Sequence, residues 1–197
     1  MSNRTFPRLG AGCGALFAVA LFVASGNSGH LYVVGLAAIV LFVPFLAYLC
    51  SVLREAEGPS GWLSTAALAA GLAGITIKLV SLAPEIANRH LSHGTPAHRA
   101  LQGIADAATV VSLYPLAVLL AAVAIVALRT GVLPRWLGFG AAATAIALAV
   151  NGSLIDAKFV PALVLFLLWT LIASVVLFRR AQGEQGHVAR AYPTAAG

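Results

Sequence analysis

Two charged side chains, Lys78 and Asp106, lie inside long apolar stretches and are the strongest candidates for chemistry. A charge at the centre of a membrane helix costs roughly 2.5–3.5 kcal/mol on insertion scales. Burial of either group alone favours its neutral form, whereas pairing keeps both groups charged. The functional hypothesis is therefore that Lys78 and Asp106 pair. The alternative for Lys78 is that it lies near a helix end and extends its ammonium to the membrane surface.

A stripe of polar residues surrounds Asp106. Spacings of four, four, three and three residues place its members on one helix face: His98, Gln102, Asp106, Thr109 and Ser112. Thr95 and Pro96 resemble an N-cap followed by proline at the first helical position. The stripe could hold two helices together or form one wall of a hydrated cavity. If the preceding helix runs one turn past the membrane, Glu85 shares a face with Lys78.

We predict a polar pocket at the extracytoplasmic side of the membrane. Asn151 and Asp156 join the same side, because they lie at the break between two later apolar stretches. The predicted binding residues are Lys78, Asp106, Gln102, Thr109, Asn151 and Asp156. We predict no catalytic residue and no cofactor.

Metal binding and serine catalysis are weaker hypotheses. His90, His93 and His98 could ligate a metal ion, but HxxHxxxxH matches no strong zinc signature, and Gly94 would interrupt a helix. Exposed loop histidines are usually only solvated. The sequence Gly26–Gly29 matches the GxSG of rhomboid-type intramembrane proteases, yet no histidine lies within an apolar stretch to act as base.

The composition excludes several protein classes. The 197 residues are 60% hydrophobic and only 9% charged, and the mean hydropathy is +0.95. A water-soluble domain is about a quarter charged, so this composition predicts an integral membrane protein. The excess of 12 Lys+Arg over 6 Asp+Glu is too small to coat a nucleic-acid-binding face. We expect the basic residues to determine topology.

Six apolar stretches predict an all-α membrane helix bundle with six spans, because a span needs about 20 apolar residues. The predicted spans are 9–25, 31–53, 62–83, 101–128, 136–155 and 159–178. Cytoplasmic termini would place eight arginines inside and three basic residues outside. The eight are Arg4, Arg8, Arg54, Arg129, Arg135, Arg179, Arg180 and Arg190, against Arg89, Arg99 and Lys158.

We treat residues 1–180 as one transmembrane domain and 181–197 as a disordered cytoplasmic tail, because the tail is polar and lacks periodicity. The first apolar stretch has a competing interpretation. Arg4 and Arg8 followed by an apolar run and small residues also resemble a secretory signal peptide. Cleavage would leave five spans.

Two predicted hairpins share a pattern of proline, arginine and tryptophan. The first contains Pro44, Arg54 and Trp62–Leu63, and the second contains Pro115, Arg129 and Trp136–Leu137 in the same order. This is either a duplicated hairpin or two ordinary cytoplasmic turns with interfacial anchors.

Small residues mark places where helices can approach closely. The two pairs are Gly10 with Gly14 and Gly71 with Gly74. They predict packing within the chain or, as the alternative, a homo-oligomer.

Two stretches carry a family resemblance: "LREAEGPSGWLSTAALAAGLAG" (53–74) and "ALRTGVLPRWLGFGAAATAIAL" (127–148). They resemble a family of multi-pass membrane proteins of high-GC actinobacteria, described as a domain of unknown function. The resemblance covers spans two to five and rests on Arg, Gly, Pro and Trp at the turns. It implies a multi-pass protein of the bacterial cytoplasmic membrane and transfers no activity.

The leading functional hypothesis is a non-enzymatic protein that binds or passes a small molecule, lipid or proton at the polar pocket. One alternative is a structural or assembly subunit of a membrane complex. A second is an enzyme acting on a lipid or isoprenoid, with Asp106 or Glu85 as the acid. The expected partners are the lipid bilayer, a small-molecule or lipid ligand and a second copy of the chain, and no nucleic acid.

Overall fold

The computed structural model describes residues 6–26, 32–88, 91–92, 94–153 and 161–191. These residues form six α-helices and no strand. The helices are α1 (Phe6–Gly26), α2 (Tyr32–Glu57), α3 (Trp62–Asn88), α4 (Pro96–Thr130), α5 (Arg135–Ser153) and α6 (Pro161–Ala191). The all-α prediction with six helices is confirmed.

Five segments are long and apolar enough to cross a membrane, and the chain is therefore a multi-pass membrane protein. They are Val34–Glu57, Trp62–Asn88, Pro96–Thr130, Arg135–Ser153 and Pro161–Gln182. Within α1 the apolar segment found is Arg8–Val23. Five of the six predicted spans thus meet the length requirement of about 20 residues.

Several helices extend beyond the predicted spans. α3 continues to Asn88, and α4 begins at Pro96 before the apolar stretch does. With 35 residues, α4 is about 52 Å long, well beyond the about 30 Å of hydrocarbon. The tail expected to be disordered from Ala181 is instead helical through Ala191, because α6 continues past its apolar part.

The chain divides into two compact units. The first unit contains Met1–Leu49 and Thr170–Gly197, and the second contains Cys50–Trp169. The division falls within α2 and within α6. These helices are long enough to contribute one part to each unit, and hydropathy along the chain carries no sign of such a division.

In the first unit, glycines bring α1 close to its neighbours. A Cβ at Gly10 would lie 2.7 Å from Tyr48 Cβ in α2, and a Cβ at Gly14 would overlap Phe45 and Ser174. Phe42 lies between two other rings, 4.7 Å from Phe17 and 5.7 Å from Phe45. Gly10 and Gly14 therefore pack against helices of their own chain, which is the intramolecular alternative.

In the second unit, α4 packs against both α3 and α5. A Cβ at Gly74 of α3 would lie 3.1 Å from Leu116, and one at Gly138 of α5 would lie 3.0 Å from Leu128. Gly71 is also buried. Small residues thus allow close helix contacts where the hydrophobic effect no longer drives association.

Candidate functional site

Lys78 is held by a hydrogen bond between α3 and α4. Its side chain is half-buried, and its Nζ donates to Thr109 Oγ1 at 3.0 Å. Both residues belong to the second unit. The structure therefore brings together two of the predicted binding residues, and the partner is a neutral hydroxyl.

The start of α4 places the polar stripe beside α3. Thr95 has extended backbone angles (φ −67°, ψ 152°), and its Oγ1 accepts a hydrogen bond from the backbone N–H of His98 at 3.1 Å. Pro96 occupies the first helical turn, where its missing N–H costs no helical hydrogen bond. The predicted N-cap is confirmed, and it begins α4 four turns before Thr109.

Three hydroxyls around Lys78 donate to carbonyls of their own helices. Thr109 Oγ1 donates to Ala105 O at 2.9 Å, Ser112 Oγ donates to Thr109 O at 2.6 Å, and Ser81 Oγ donates to Lys78 O at 2.7 Å. A hydroxyl has one proton and two acceptor lone pairs. Thr109 therefore has its proton engaged and can only accept from Lys78.

The Lys78 ammonium has more donors than the neighbouring residues use. An ammonium has three N–H donors. One binds Thr109, and within the described part of the chain no acceptor binds the other two. A half-buried charge without further partners is costly. The remaining donors therefore need acceptors from outside the described residues, such as water or an anionic group.

Helix rise places this ammonium near the edge of the hydrocarbon. Trp62, which is 64% exposed, and Arg129 are typical of residues that anchor a helix at the membrane interface. Lys78 is sixteen residues from Trp62, about 24 Å along α3, and Thr109 is twenty from Arg129, about 30 Å along α4. A core about 30 Å thick ends near this depth. The Lys78 side chain thus reaches outward to Thr109 at the boundary, as a snorkelling lysine does.

Two carboxylates lie further from Trp62 and Arg129 than Lys78 and Thr109 do. Glu85 is twenty-three residues from Trp62 and Asp106 is twenty-three from Arg129, so both lie about 35 Å from that interface. Both side chains are exposed. Among the described residues, these two acids are close enough to act electrostatically on Lys78. Neither forms a direct ion pair with Lys78 among the residues described, so the predicted Lys78–Asp106 contact is replaced by Lys78–Thr109.

The remaining predicted binding residues are not brought to Lys78. Gln102 is exposed, one turn beyond Asp106 on α4. Asn151 is buried in α5, next to Gly152, where a Cβ would lie 3.0 Å from the Tyr114 ring. Tyr114 lies five residues from Thr109 on α4, and its hydroxyl is 3.4 Å from Ser153 Oγ. Asp156 lies outside the described residues.

The metal and serine hypotheses rest largely on residues outside the described ranges. His98 is half-buried in α4, whereas His90, His93 and Ser28 are not described. No group of three or more His, Cys, Asp or Glu side chains that could hold a metal ion occurs among the described residues.

At the opposite end of α3, a side chain of α2 caps the helix. Glu57 accepts hydrogen bonds from the backbone N–H groups of Leu63 and Ser64, both at 2.9 Å, one at each carboxylate oxygen. Gly61, at the N-cap position, has φ +40° and no side chain, so it cannot supply this acceptor. The carboxylate also complements the positive end of the helix dipole. Local capping patterns do not predict this cap, because Glu57 lies four residues before the N-cap position.

The second unit has two ends that differ in their charged residues. The lysine end consists of Lys78–Asn88 of α3 and Pro96–Ser112 of α4. The arginine end consists of Arg54–Trp62 and Arg129–Trp136.

Comparison with family models, curated proteins and solved structures finds no match for this chain.

Proposed function

We propose that the protein binds the anionic, phosphate-type group of a lipid or small amphiphile at the lysine end. The observation that carries this proposal is the Lys78–Thr109 hydrogen bond at 3.0 Å, which fixes an ammonium while leaving two of its donors to point elsewhere. A charge-assisted hydrogen bond from an ammonium to a phosphate is short and about twice as strong as a neutral one.

The depth of the ammonium supports a membrane ligand. Helix rise places it at the boundary of the hydrocarbon, about 30 Å from the arginine end. Phosphate groups of phospholipids lie at this boundary, and free anions reach it from water. Lys78 is therefore positioned to meet a headgroup phosphate without carrying its charge to the centre of the membrane.

A structural role is the competing candidate, because the same hydrogen bond joins α3 to α4. Hydrogen bonds between membrane helices contribute about 0.6 kcal/mol on average. In that role the protein would be a scaffold or a subunit of a complex, and any group able to bond Thr109 would suffice. Transport, assembly and lipid enzymology stay predictions that the geometry does not favour over binding.

Retention of phospholipid distinguishes the two candidates. We would purify the wild-type protein, Lys78→Met and Lys78→Arg in mild detergent and measure bound phospholipid per protein by native mass spectrometry. We expect the wild type and Lys78→Arg to retain phospholipid, because a guanidinium also binds phosphate. Lys78→Met should retain about tenfold less, since it loses charge-assisted hydrogen bonds worth about 1.5–3 kcal/mol.

The control is that all three proteins elute as single species and keep their helical circular dichroism. Equal phospholipid retention in the wild type and in Lys78→Met would refute the proposal and favour the structural role.

We further propose that the protein resides in the bacterial cytoplasmic membrane with both termini inside. Five exposed arginines support this orientation when successive helices alternate in direction: Arg54, Arg129, Arg135, Arg179 and Arg180. The resemblance to actinobacterial membrane proteins, itself still a prediction, agrees with this location. A C-terminal reporter that is active only in the cytoplasm should be active, and its inactivity would reverse the orientation.

A further inference from the structure

We propose that the group bound at the lysine end is an aminophospholipid headgroup of the phosphatidylethanolamine type. Its phosphate would bind Lys78, and its primary ammonium would bind between Glu85 and Asp106. This inference rests on the proposed function and names the ligand class for the same site.

The order of charges along the helices carries the inference. The Lys78 ammonium meets Thr109 about 30 Å from the arginine end, whereas Glu85 and Asp106 lie at about 35 Å. Passing outward from the hydrocarbon, the site therefore presents a positive charge and then two negative charges. An ethanolamine phospholipid presents the complementary order, with the phosphate next to the glycerol and the ammonium beyond it.

Each helix of the pair supplies one of the two carboxylates. Glu85 projects from α3 seven residues after Lys78, and Asp106 projects from α4 three residues before Thr109, so each is on or beside the face that meets the other helix. Both are exposed and make no direct ion pair with Lys78 in the described part of the chain. Their charges are free to attract a ligand cation while Lys78 holds the phosphate.

The donors of the ligand decide between headgroups. A primary ammonium has three N–H donors, which the carboxylates of Glu85 and Asp106 can accept. A choline group has no N–H donor, and a glycerol headgroup has no positive charge. The site therefore favours ethanolamine over choline, and choline over glycerol.

The depth of the site favours a lipid over a soluble zwitterion. Thr109 lies about 30 Å from the arginine end, where the hydrocarbon core ends, so the acyl chains of a phospholipid bound there would lie within the membrane.

Competitive loading tests the inference. Delipidated protein in detergent receives an equimolar mixture of phosphatidylethanolamine, phosphatidylcholine and phosphatidylglycerol with identical acyl chains, and native mass spectrometry measures each bound species. We expect phosphatidylethanolamine to be enriched about tenfold over phosphatidylglycerol, since one charge-assisted hydrogen bond is worth about 1.5–3 kcal/mol.

Variants separate the two halves of the headgroup. The double variant Glu85→Gln/Asp106→Asn should still bind phospholipid through Lys78 but lose the ethanolamine preference. Lys78→Met should lose binding of all three lipids. Glu55→Gln is the matched control, because it removes an exposed carboxylate at the arginine end and should leave the preference unchanged.

Three outcomes would overturn the inference in different ways. Equal loading of the three lipids by the wild type would refute the ethanolamine assignment while leaving the proposed function standing. Unchanged loading by Lys78→Met would refute both. Displacement of bound lipid by an equal concentration of free phosphoethanolamine would refute the assignment to a lipid.

Discussion

The two ends of α3 differ in how their polar groups are hydrogen-bonded. At the arginine end, the helix offers free N–H donors, and Glu57 accepts from two of them with both carboxylate oxygens. Ser64 and Thr65 also direct their hydroxyls to Gly61 O, each at 2.8 Å. At the lysine end, Lys78 has one partner among the described residues, Thr109, for three donors. One end is satisfied by its own chain, and the other retains donors for a group from outside.

The difference indicates where a ligand can bind. Glu57 is itself the anion that a helix N-terminus attracts, so nothing further is needed there. At the lysine end the acids, Glu85 and Asp106, lie beyond Lys78 along the helix axis and form no direct ion pair with its ammonium among the described residues. The spacing along the helices, and not the number of charges, distinguishes a closed end from an open one.

A substitution that separates α3 from α4 should lower the stability of the protein the most. A Cβ at Gly74 would lie 3.1 Å from Leu116, so Gly74→Leu inserts a side chain where the helices touch. Overpacking of this kind typically costs about 1–3 kcal/mol. We expect a lower apparent melting temperature in detergent, because the inserted side chain pushes α3 away from α4.

Gly103→Leu is the matched control for that substitution. Gly103 lies in α4, and a Cβ there would meet nothing within 4 Å. This variant should melt no lower than the wild type, since leucine favours helix more than glycine does. If both variants melted alike, close packing at Gly74 would not hold the helix pair.

Removing the cap at the arginine end should have a smaller effect. Glu57→Gln replaces two equivalent carboxylate acceptors with one amide oxygen and one NH₂ group that repels a backbone donor. We expect a decrease in melting temperature that is smaller than that of Gly74→Leu, with phospholipid retention unchanged. Glu55→Gln removes a neighbouring exposed acid and should leave the melting temperature unchanged. A parallel loss of lipid in Glu57→Gln would mean that the two ends are not independent.

The sequence was sufficient to predict the six helices and the face of α4 that meets Lys78, but not the relative height of α3 and α4. Long apolar stretches and the Thr95–Pro96 start predicted six helices, and the stripe on α4 predicted the side that meets Lys78. The partner is Thr109 and not Asp106, one turn away on nearly the same face. That register depends on how Gly74 fits against Leu116, a contact between residues far apart in the chain.

The Glu57 cap and the two compact units were missed for a similar reason. Glu57 reaches N–H groups six and seven residues ahead, across a turn that needs Gly58 at φ +82° and Gly61 at φ +40°. Local capping patterns place the acceptor at the N-cap itself. The division within α2 and α6 arises from packing, which hydropathy along a helix does not record.

Thr109→Val should have the smallest effect on stability. It also distinguishes most directly between a structural role and a binding role for Lys78. Thr109→Val keeps the shape of the side chain but removes the acceptor for Lys78, so it should cost about 0.6 kcal/mol, the average for hydrogen bonds between membrane helices. If Lys78 serves only to join α3 to α4, Thr109→Val and Lys78→Met should behave alike in every measurement. If Lys78 binds a phosphate, Thr109→Val should retain phospholipid, because the ammonium is still present and has gained a free donor. Lipid loss in Thr109→Val equal to that in Lys78→Met, with both proteins folded, would favour the structural role, because the tether alone would then explain retention.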